Sequence, residues 1–562
     1  MKKIITLICT LLAGTALFAQ VSVDPQDDFY TDAQNWEIKG IVKNLPPLRP
    51  YTLNNIKGIL TQVLEKGSED DIETAECYME EIFGKSWRIE LEAVVKGKIS
   101  KKEETSFTKN ILGYPALKGN MSFFNDIASI GYKLGLAATK KSEMDFLPEY
   151  TYSEHDAYFD DSVMGPFVVR FDGDVSTSVG NENLFAQLGI NRSSFGSNLS
   201  NGLAIDDSDY HSGNLGFTYM GNKWNYVQQF SVIGASRNNG SSRLNPDKFF
   251  SFHAAELYPT DNFHFSYYES IIFGNRFDPA YFIPAPYMAT QGLGGYSDNL
   301  LMGINFDWKI MKGLLWYADV FVDDLSVNEL VKFNFNTRIR LAAQTGVIYV
   351  PELKYINRIT LDFTAILPYM YSHAEHSLGT YNSINYQNYT NAGFHIGSAY
   401  DPNSAIVALN IKITPLKGLK INAGGTFIVH GNVAENVTEN EAKNYLETAG
   451  YSSSDGSVYN HTENPATSGL ISNSELWSWL TQEHLMYTVQ GNISCEYELQ
   501  RFKWGKVSIE ISSVTEYIKN KGVDSNIYTS SYTTIEEAKA AWIANLHDEI
   551  NEYLSIGLKY NF

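Results

Sequence analysis

The sequence predicts an all-β transmembrane barrel of about 18 antiparallel strands, preceded by a small amino-terminal α-helical module. The segment YLSIGLKYNF (553–562) alternates apolar and polar residues, and this period of two places an apolar stripe on one face of a strand. The chain is 14% aromatic but contains only 17 prolines, a composition rich in strand formers. Its alternating segments are joined by connections that are alternately short and long, which is typical of outer-membrane barrels.

The amino terminus has the features of a secretory signal peptide. Lys2 and Lys3 precede an apolar run that is followed by the small residue Ala19, and this run is too short for a membrane anchor. We expect residues 1–19 to be removed, which changes the formal charge of the chain from −21 to −23. Such an acidic chain, without a basic stripe, is not expected to bind nucleic acid.

Residues 24–85 form the predicted helical module. Thr52 is a suitable N-cap for a helix over 53–65, and a second helix is expected over about 71–83 because apolar residues recur at helical spacing. About sixty residues are too few for an independently stable core, so the module should pack on a larger body. Residues 86–562 are that body, the predicted barrel.

The barrel strands are predicted from short alternating segments. They lie near 87–98, 118–124, 128–138, 165–171, 182–190, 211–220, 223–234, 248–258, 263–273, 300–308, 314–324, 336–349, 357–371, 404–414, 419–430, 485–499, 507–518 and 550–562. The last of them, with its terminal aromatic Phe562, is expected to close the barrel. It also resembles the signal that barrel-assembly machinery recognises during insertion.

The lengths of the connections predict the orientation of the barrel. Short turns are predicted at Met220–Asn222, Pro259–Asn262, Lys309–Gly313, Val350–Lys354 and Pro415–Gly418, and long loops at 139–164, 274–299, 372–403, 431–484 and 519–549. Outer-membrane barrels have short periplasmic turns and long extracellular loops. We therefore expect the helical module and the turns in the periplasm and the long loops outside the cell.

The hairpin over 300–324 predicts which residues face the lumen. Its apolar parity should meet lipid, because a carboxylate that faces hydrocarbon costs several kcal/mol. The lumen would receive Asn305, Asp307, Tyr317, Asp319 and Asp323.

The strand FHFSYYESIIF (263–273) interrupts its own apolar parity, because Glu269 falls among the lipid-facing positions. Either a bulge near Tyr267–Tyr268 turns this carboxylate inward, or the carboxylate lies at the outer rim in water. We favour the bulge.

No catalytic, cofactor or metal site is predicted. The cysteines left after removal of the signal, Cys77 and Cys495, do not form a CxxC pair, and no GxSxG motif or phosphate-binding glycine loop occurs. The pair His373–His376 and the acidic stretch Asp206–His211 lie in predicted loops, where solvated side chains are the usual outcome. Paired acids such as Asp323–Asp324 are interpreted as electrostatic lining rather than as glycoside-hydrolysing groups.

Four stretches resemble the capsule-assembly Wzi family of outer-membrane proteins. They are DDFYTDAQNWEIKGIVKNLPPLRPYTLNNIKGIL (27–60), NRSSFGSNLSNGLAIDDSDY (191–210), ESIIFGNRFDPAYFIPAPY (269–287) and the strand pair SDNLLMGINFDW and LLWYADVFVDD (297–308 and 314–324). The second stretch is similar to a family pattern R-x-x-W-G-P-G, but Phe195, Ser197 and Asn198 replace its Trp, Pro and final Gly. The resemblance covers residues 24–330.

This resemblance implies a non-enzymatic, eighteen-stranded barrel that binds surface polysaccharide, with a helical bundle at its periplasmic mouth. The expected partners are surface polysaccharide or a lipid-linked glycan, and outer-membrane lipid. Tyrosines in runs such as AYFIPAPY and YNSINYQNY could stack on sugars. The candidate residues for glycan binding or for the lumen are Arg192, Glu269, Arg276, Tyr281, Tyr287, Asn305, Asp307, Tyr317, Asp319 and Asp323.

Two alternative functions use the same scaffold. A porin or ligand-specific diffusion channel would line its pore with Asp307, Asp319 and Asp323, and an adhesin would use the loops 431–484 and 519–549. A helical insertion predicted over 533–550 is expected to cap the outer mouth. The amino-terminal module favours the glycan-binding function, because a simple porin does not need it.

Overall fold

The structure is a computed structural model. It describes residues 24–562 apart from 103–104, 125, 152–161, 165, 209, 238–243, 294–297, 326–330, 332–338, 374–383, 433–455, 459–478, 503–504, 522–536, 538–539 and 541–542. The predicted signal peptide lies outside these residues.

From residue 24 onward, where the structure describes the chain, three helices precede the first barrel strand: α1 (Asp28–Ile38), α2 (Leu53–Lys66) and α3 (Glu69–Phe83). The predicted N-cap of α2 is present, since the side chain of Thr52 accepts a hydrogen bond from the backbone N–H of Asn55. The helices share one core, which includes Phe29, Trp36, Ile56, Leu60, Val63 and Ala75. None of the helices in the described residues is long and apolar enough to cross a membrane.

Eighteen antiparallel strands form one closed ring. They are β1 (Arg88–Lys101), β2 (Thr105–Phe123), β3 (Ala128–Thr139), β4 (Phe167–Gly180), β5 (Leu184–Asn191), β6 (Ser212–Met220), β7 (Trp224–Arg237), β8 (Leu244–Thr260), β9 (Phe263–Gly274), β10 (Asn299–Met311), β11 (Leu314–Leu325), β12 (Ile339–Tyr349), β13 (Ile356–Ile366), β14 (Ser404–Leu416), β15 (Leu419–His430), β16 (Met486–Phe502), β17 (Gly505–Lys521) and β18 (His547–Asn561). Each pairs with its neighbour along the chain, and β18 pairs with β1. The predicted fold class is confirmed.

Several boundaries were predicted wrongly. The strand expected at 165–171 continues as β4 to Gly180, and the strand expected at 357–371 ends as β13 at Ile366. The strand expected at 118–124 is β2, which begins at Thr105; Pro115 and the polar residues around it concealed the alternation. The helix expected over 533–550 ends before β18, because His547 already pairs with Lys521. Of the rest of that helix, the described residues 537, 540 and 543–545 are helical.

The inner and outer faces of the wall follow from the register of β10 and β11. Ile304 lies opposite Val320, and these apolar side chains are 38% and 39% exposed. The next pair, Asn305 opposite Asp319, is only 2% and 4% exposed. Side chains with the parity of Asn305 therefore face the interior, and those with the parity of Ile304 face outward.

The helices pack against one end of the ring, which we call the helix-side end. There, the backbone N–H of Gly313 donates to the carbonyl of Ile38 (3.3 Å), and the side-chain amide of Asn44 donates to the carbonyl of Gly221 (2.8 Å). The five predicted short turns all lie at this end, and the strand ends that flank the five predicted long connections lie at the opposite end, which we call the far end.

Several connections reach the interior. The backbone of Glu149, in the connection after β3, bonds to Glu516 of β17 and Gln490 of β16, and Val458, after β15, is buried in the core.

Two further connections fold inward as well. The segment 192–211 joins β5 to β6, and the described parts of 367–403 lie between β13 and β14. The two segments bond to each other, since the hydroxyl of Tyr371 donates to the carbonyl of Leu203 (2.8 Å). With the inner faces of the strands they form an apolar core that includes Phe195, Leu203, Phe250, Phe252, Tyr268, Phe321, Met370, Tyr371, Tyr389 and Ile396.

Candidate functional site

The interior of the barrel has two sectors with different chemistry. The first, the filled sector, comprises the inner faces of β6–β13 and the far-end residues Ile406 of β14 and Ile428 of β15, which the apolar core and the segment 192–211 cover. The second, the polar sector, comprises the inner faces of β14–β18, where the side chains midway along the strands are only half-buried. Each sector positions a different set of polar groups.

In the filled sector, buried carboxylates hold the segment 192–211 against the wall. Asp307 accepts a hydrogen bond from the hydroxyl of Ser197 (2.6 Å) and pairs with the Nε2 of His264 (3.0 Å). Asp319 accepts from the hydroxyl of Tyr268 (2.6 Å). Asp307 thus holds the inward segment, whereas Asp319 bonds to Tyr268 of the wall. Because both carboxylates are bonded and buried, neither lines an open channel.

Of the other predicted lumen residues, Asn305 and Tyr317 also point inward, whereas Asp323 lies at a register shift between β11 and β12. Asn305 is 2% exposed, and its Nδ2 has no hydrogen-bond partner among the described residues. It lines a cavity of about 50 Å³ between α1, the segment 192–211 and the wall. Tyr317 packs with Ile38 of α1. Asp323 is half-buried towards the far end of β11.

Arg192 joins the segment 192–211 to the start of the helical module. Its guanidinium donates to the carboxylate of Asp24 (2.8 Å) and to the carbonyl of Asp207 (3.3 Å). Burial, followed by the charge of Asp206, raises the pKa of Asp207 to about 7. The predicted R-x-x-W-G-P-G-like stretch therefore fastens the interior to the amino-terminal segment.

The replacements within that stretch are accommodated by packing and hydrogen bonds. The ring of Phe195, in the position of the pattern's Trp, lies 4.9 Å from the ring of Phe252 and 5.0 Å from that of Tyr268. Ser197 supplies the hydroxyl that Asp307 binds.

The acidic stretch Asp206–His211 uses its leading carboxylate within its own loop. Asp206 accepts from the backbone N–H of Gly202 (2.7 Å) and from the hydroxyl of Ser208. Among the described residues there is no group of three or more His, Cys, Asp or Glu that could hold a metal ion. Residues 374–376 of the predicted histidine pair lie outside the described residues.

Four predicted site residues lie on the other side of the wall. Glu269 keeps the outward parity of β9, because the register from Phe265 to Ile272 runs without a shift against both β8 and β10. The predicted bulge that would turn Glu269 inward is therefore wrong. The alternative, a carboxylate in water at the outer rim, is also wrong, because Glu269 is only 1% exposed. Its carboxylate is covered by the connection after β9, whose backbone N–H at Tyr287 donates to Glu269 Oε2 (2.5 Å).

That connection also places Arg276, Tyr281 and Tyr287. The guanidinium of Arg276 pairs with Asp298, which also accepts from the hydroxyl of Tyr281 (2.5 Å). Tyr281 and Tyr287 are 1% and 0% exposed, so their rings lie against the barrel wall and present no free face to a sugar in this structure.

The polar sector has a band of neutral hydrogen-bonding side chains. Its half-buried members are Asn410 on β14, Asn422 and Thr426 on β15, Asn492 and Ser494 on β16, Ser512 on β17 and Ser555 on β18. The register places them side by side, as where Asn422 lies opposite Ser494 and Ser512 opposite Ser555. Amides and hydroxyls both donate and accept, so this band can bind a polyhydroxylated ligand.

Charged groups bound this band at both ends. At the helix-side end, Asp28 of α1 pairs with Lys412 (3.1 Å) and Lys420 (2.7 Å). Burial raises the pKa of Asp28, but the two lysines outweigh it and hold the pKa below its ordinary value. At the far end, Glu516 accepts from the side-chain amides of Gln490 (2.9 Å) and Asn551 (3.1 Å).

The sequence reasoning missed the polar sector. Every residue it selected lies between β5 and β11, the part of the chain that carries the family resemblance. One sequence pattern could have indicated this sector. Asn, Ser and Thr recur at alternate positions in 404–430 and 485–518, and these positions alternate with the apolar, outward-facing positions of the same strands.

No family model matches the chain, and no curated protein matches it. Among solved structures the chain is similar to Wzi of Escherichia coli, an outer-membrane protein involved in group 1 capsule assembly and a carbohydrate-binding β-barrel. The two chains are 12% identical, the match covers 96% of this chain and 99% of that chain, and the TM-score is 0.53. This chain also matches OprD of Pseudomonas aeruginosa (9% identity, 85% and 94% covered, TM-score 0.39) and OpdL of the same organism (9% identity, 85% and 98% covered, TM-score 0.42). The chain thus shares a closed-barrel fold with an outer-membrane protein, and at this identity the likeness is one of fold.

Proposed function

We propose that this protein is an integral outer-membrane barrel that binds surface polysaccharide without catalysis. The observation that carries the proposal is the band of neutral amide and hydroxyl side chains on the inner faces of β14–β18. Sugars offer many hydroxyl groups and few charges, so they match such a band better than ions do. The fold shared with Wzi, itself a carbohydrate-binding barrel, supports the same function.

The proposed orientation places the helices and the short turns in the periplasm and the long connections outside the cell. Short turns at one end and long connections at the other support it. In this arrangement residues 1–19 are the signal peptide, 24–85 the periplasmic module and 86–562 the barrel. A glycan would enter the polar sector from the far end, beside the connection after β3 whose Glu149 bonds to Gln490 and Glu516 there, because α1 lies across the helix-side end through Asp28 and Lys412.

A ligand-specific diffusion channel is the second candidate. It is favoured by the half-exposed interior of β14–β18, which could serve as a path for solute beside the filled sector. The filled sector argues against a wide pore, because an apolar core occupies the interior of β6–β13.

The test compares two substitutions in β16. Asn492→Ala removes an amide from the polar sector, whereas Cys495→Ala changes a free thiol on the outer face of the same strand. Binding of polysaccharide purified from the surface of the producing bacterium is measured by calorimetry in detergent. Loss of about one hydrogen bond predicts a roughly tenfold rise in Kd for Asn492→Ala and no change for Cys495→Ala.

Ion conductance of the intact protein in a planar bilayer separates the two candidates. Polysaccharide binding without steady current supports the glycan-binding function. Steady current together with no binding of the polysaccharide would contradict it and would support the channel.

A further inference from the structure

The outer face of β7–β9 carries polar side chains where a barrel wall is normally apolar. Gln228, Ser251, His253 and Glu269, here called the outer polar patch, all have the outward parity of Leu257 and Tyr267. Leu257 and Tyr267, towards the helix-side end, are 49% and 36% exposed, which identifies this face as the outside of the wall.

The connection 275–293, here called the cover segment, lies on this patch and satisfies it. The carbonyl of Tyr281 accepts from the side-chain amide of Gln228 (3.0 Å) and from the hydroxyl of Ser251 (3.0 Å). The short helix α4 (Tyr287–Leu293) begins at the backbone N–H that Glu269 binds. The polar groups of the wall and the backbone of the cover segment thus satisfy each other, away from water.

Further contacts fasten the cover segment to the wall. The Nε2 of His253 lies 3.1 Å from Glu269 Oε2, and the ring of His253 lies 4.1 Å from that of Tyr287. Towards the far end, Phe230, Phe249, Ile271 and Phe273 of the wall share one apolar cluster with Tyr281 and Tyr287. The segment is therefore packed on the wall.

The register gives the depth of this contact. Glu269 is six positions beyond Phe263, the helix-side end of β9, which at about 3.3 Å per residue and a tilt near 40° corresponds to roughly 15 Å along the barrel axis. The apolar band of an outer-membrane barrel is about 25 Å tall. The outer polar patch therefore lies within the height of the band, so the cover segment descends alongside the wall.

The surface that the cover segment turns away from the wall is apolar. Phe277, Ile283 and Met288 are 59%, 52% and 51% exposed. This surface continues the exposed apolar wall formed by Val232 and Ile304. Large apolar side chains that are exposed at this height are favourable in contact with lipid hydrocarbon and unfavourable in contact with water.

We propose that the cover segment is embedded in the outer leaflet and presents Phe277, Ile283 and Met288 to lipid acyl chains, while it shields the outer polar patch from them. The inference rests on the membrane location proposed above and is independent of glycan binding. The connection after β9 is then a lipid-binding surface of the barrel, unlike the connections that enter the interior.

Spin labels at single cysteines test this placement. In full-length protein with Cys77→Ser and Cys495→Ser, labels are introduced by Ile283→Cys and, separately, by Met288→Cys, and the protein is reconstituted into phospholipid vesicles. Val232→Cys on the open wall is the lipid reference, and Glu352→Cys in the exposed Lys312–Glu352 ion pair is the water reference. Collision rates with oxygen and with a water-soluble nickel chelate are compared.

We expect labels at 283 and 288 to behave like the label at 232, with oxygen collisions well above nickel collisions. Nickel access equal to that at 352 would overturn the proposal. Spin–spin broadening with low access to both reagents would also overturn it, since a second copy would then cover the surface. If the label at 232 itself reports water, the membrane location proposed for the barrel has failed instead.

Discussion

The two sectors of the barrel interior differ because different connections lie against them. β5 and β6 have 8 and 9 residues, so the segment 192–211 leaves the wall below the far end and crosses the interior. β16 and β17 have 17 residues each and carry the wall to the far end before the chain turns. The path of the neighbouring connections thus decides whether a stretch of the inner wall is covered or keeps side chains that can bind a ligand.

The largest expected effect tests whether the filled sector is a true core. Phe321→Ala removes a fully buried ring that lies 5.5 Å from the ring of Tyr268 and 5.7 Å from that of Tyr389. We expect a loss of about 3–5 kcal/mol in the free energy of unfolding, measured by urea titration in lipid vesicles. Val514→Ala on the inner face of β17, which is half-buried, should cost less than about 1.5 kcal/mol. Equal losses would contradict the division into two sectors.

The next effect is a pH dependence of the segment 192–211. The pKa of Asp207 is raised to about 7 in the folded protein, whereas an unfolded Asp titrates near 3.9. The folded state therefore binds the proton more tightly, and its stabilising contribution is complete below about pH 4 and is lost as the pH rises through about 7.

Amide hydrogen exchange in the segment 192–211 measures this loss. We expect exchange at least tenfold faster, relative to the intrinsic rate, at pH 8 than at pH 5. Asp207→Asn should remove most of the difference, whereas Asp145→Asn, in the connection after β3, should leave it intact. An unchanged pH dependence in Asp207→Asn would show that another group is responsible.

The smallest effect concerns the helix-side end of the polar sector, where the sign of the pH dependence is opposite. The pKa of Asp28 is lowered, so its contribution is present above the unfolded pKa and is lost as the pH falls through the folded value. The side chains of Asp28 and Lys420 are 44% and 55% exposed, and solvent screening limits the pair to about 1 kcal/mol or less. Asp28→Asn should therefore lower the free energy of unfolding at pH 7 by about 1 kcal/mol at most. The loss should disappear in a Lys412→Ala and Lys420→Ala background.

The alternation of residues predicted the wall well, because a strand between a filled interior and an apolar exterior has only one register that fits. Asn305, Asp307, Tyr317 and Asp319 all point inward as their parity predicts.

Parity could not predict what covers a residue. Glu269 lies among outward positions, and only the folding of residues 281–287 back onto the wall makes that placement favourable. The polar sector was missed for a related reason: Asn and Ser at inner positions are ordinary in any barrel, and only the inward segments elsewhere show that these positions are left uncovered.

The pairing of β18 with β1 has a consequence for the order of assembly. The backbone N–H of Phe562 donates a hydrogen bond to the backbone carbonyl of Ile89 (2.8 Å). This contact joins the two barrel strands that are furthest apart along the described chain. Joining them carries the largest entropic cost of any strand pair, so this seam should form late. The segments 192–211 and 367–403, already held by neighbouring strands, can then collapse inward while the sheet is still an open sheet. The closed barrel would then form around segments that already occupy its interior.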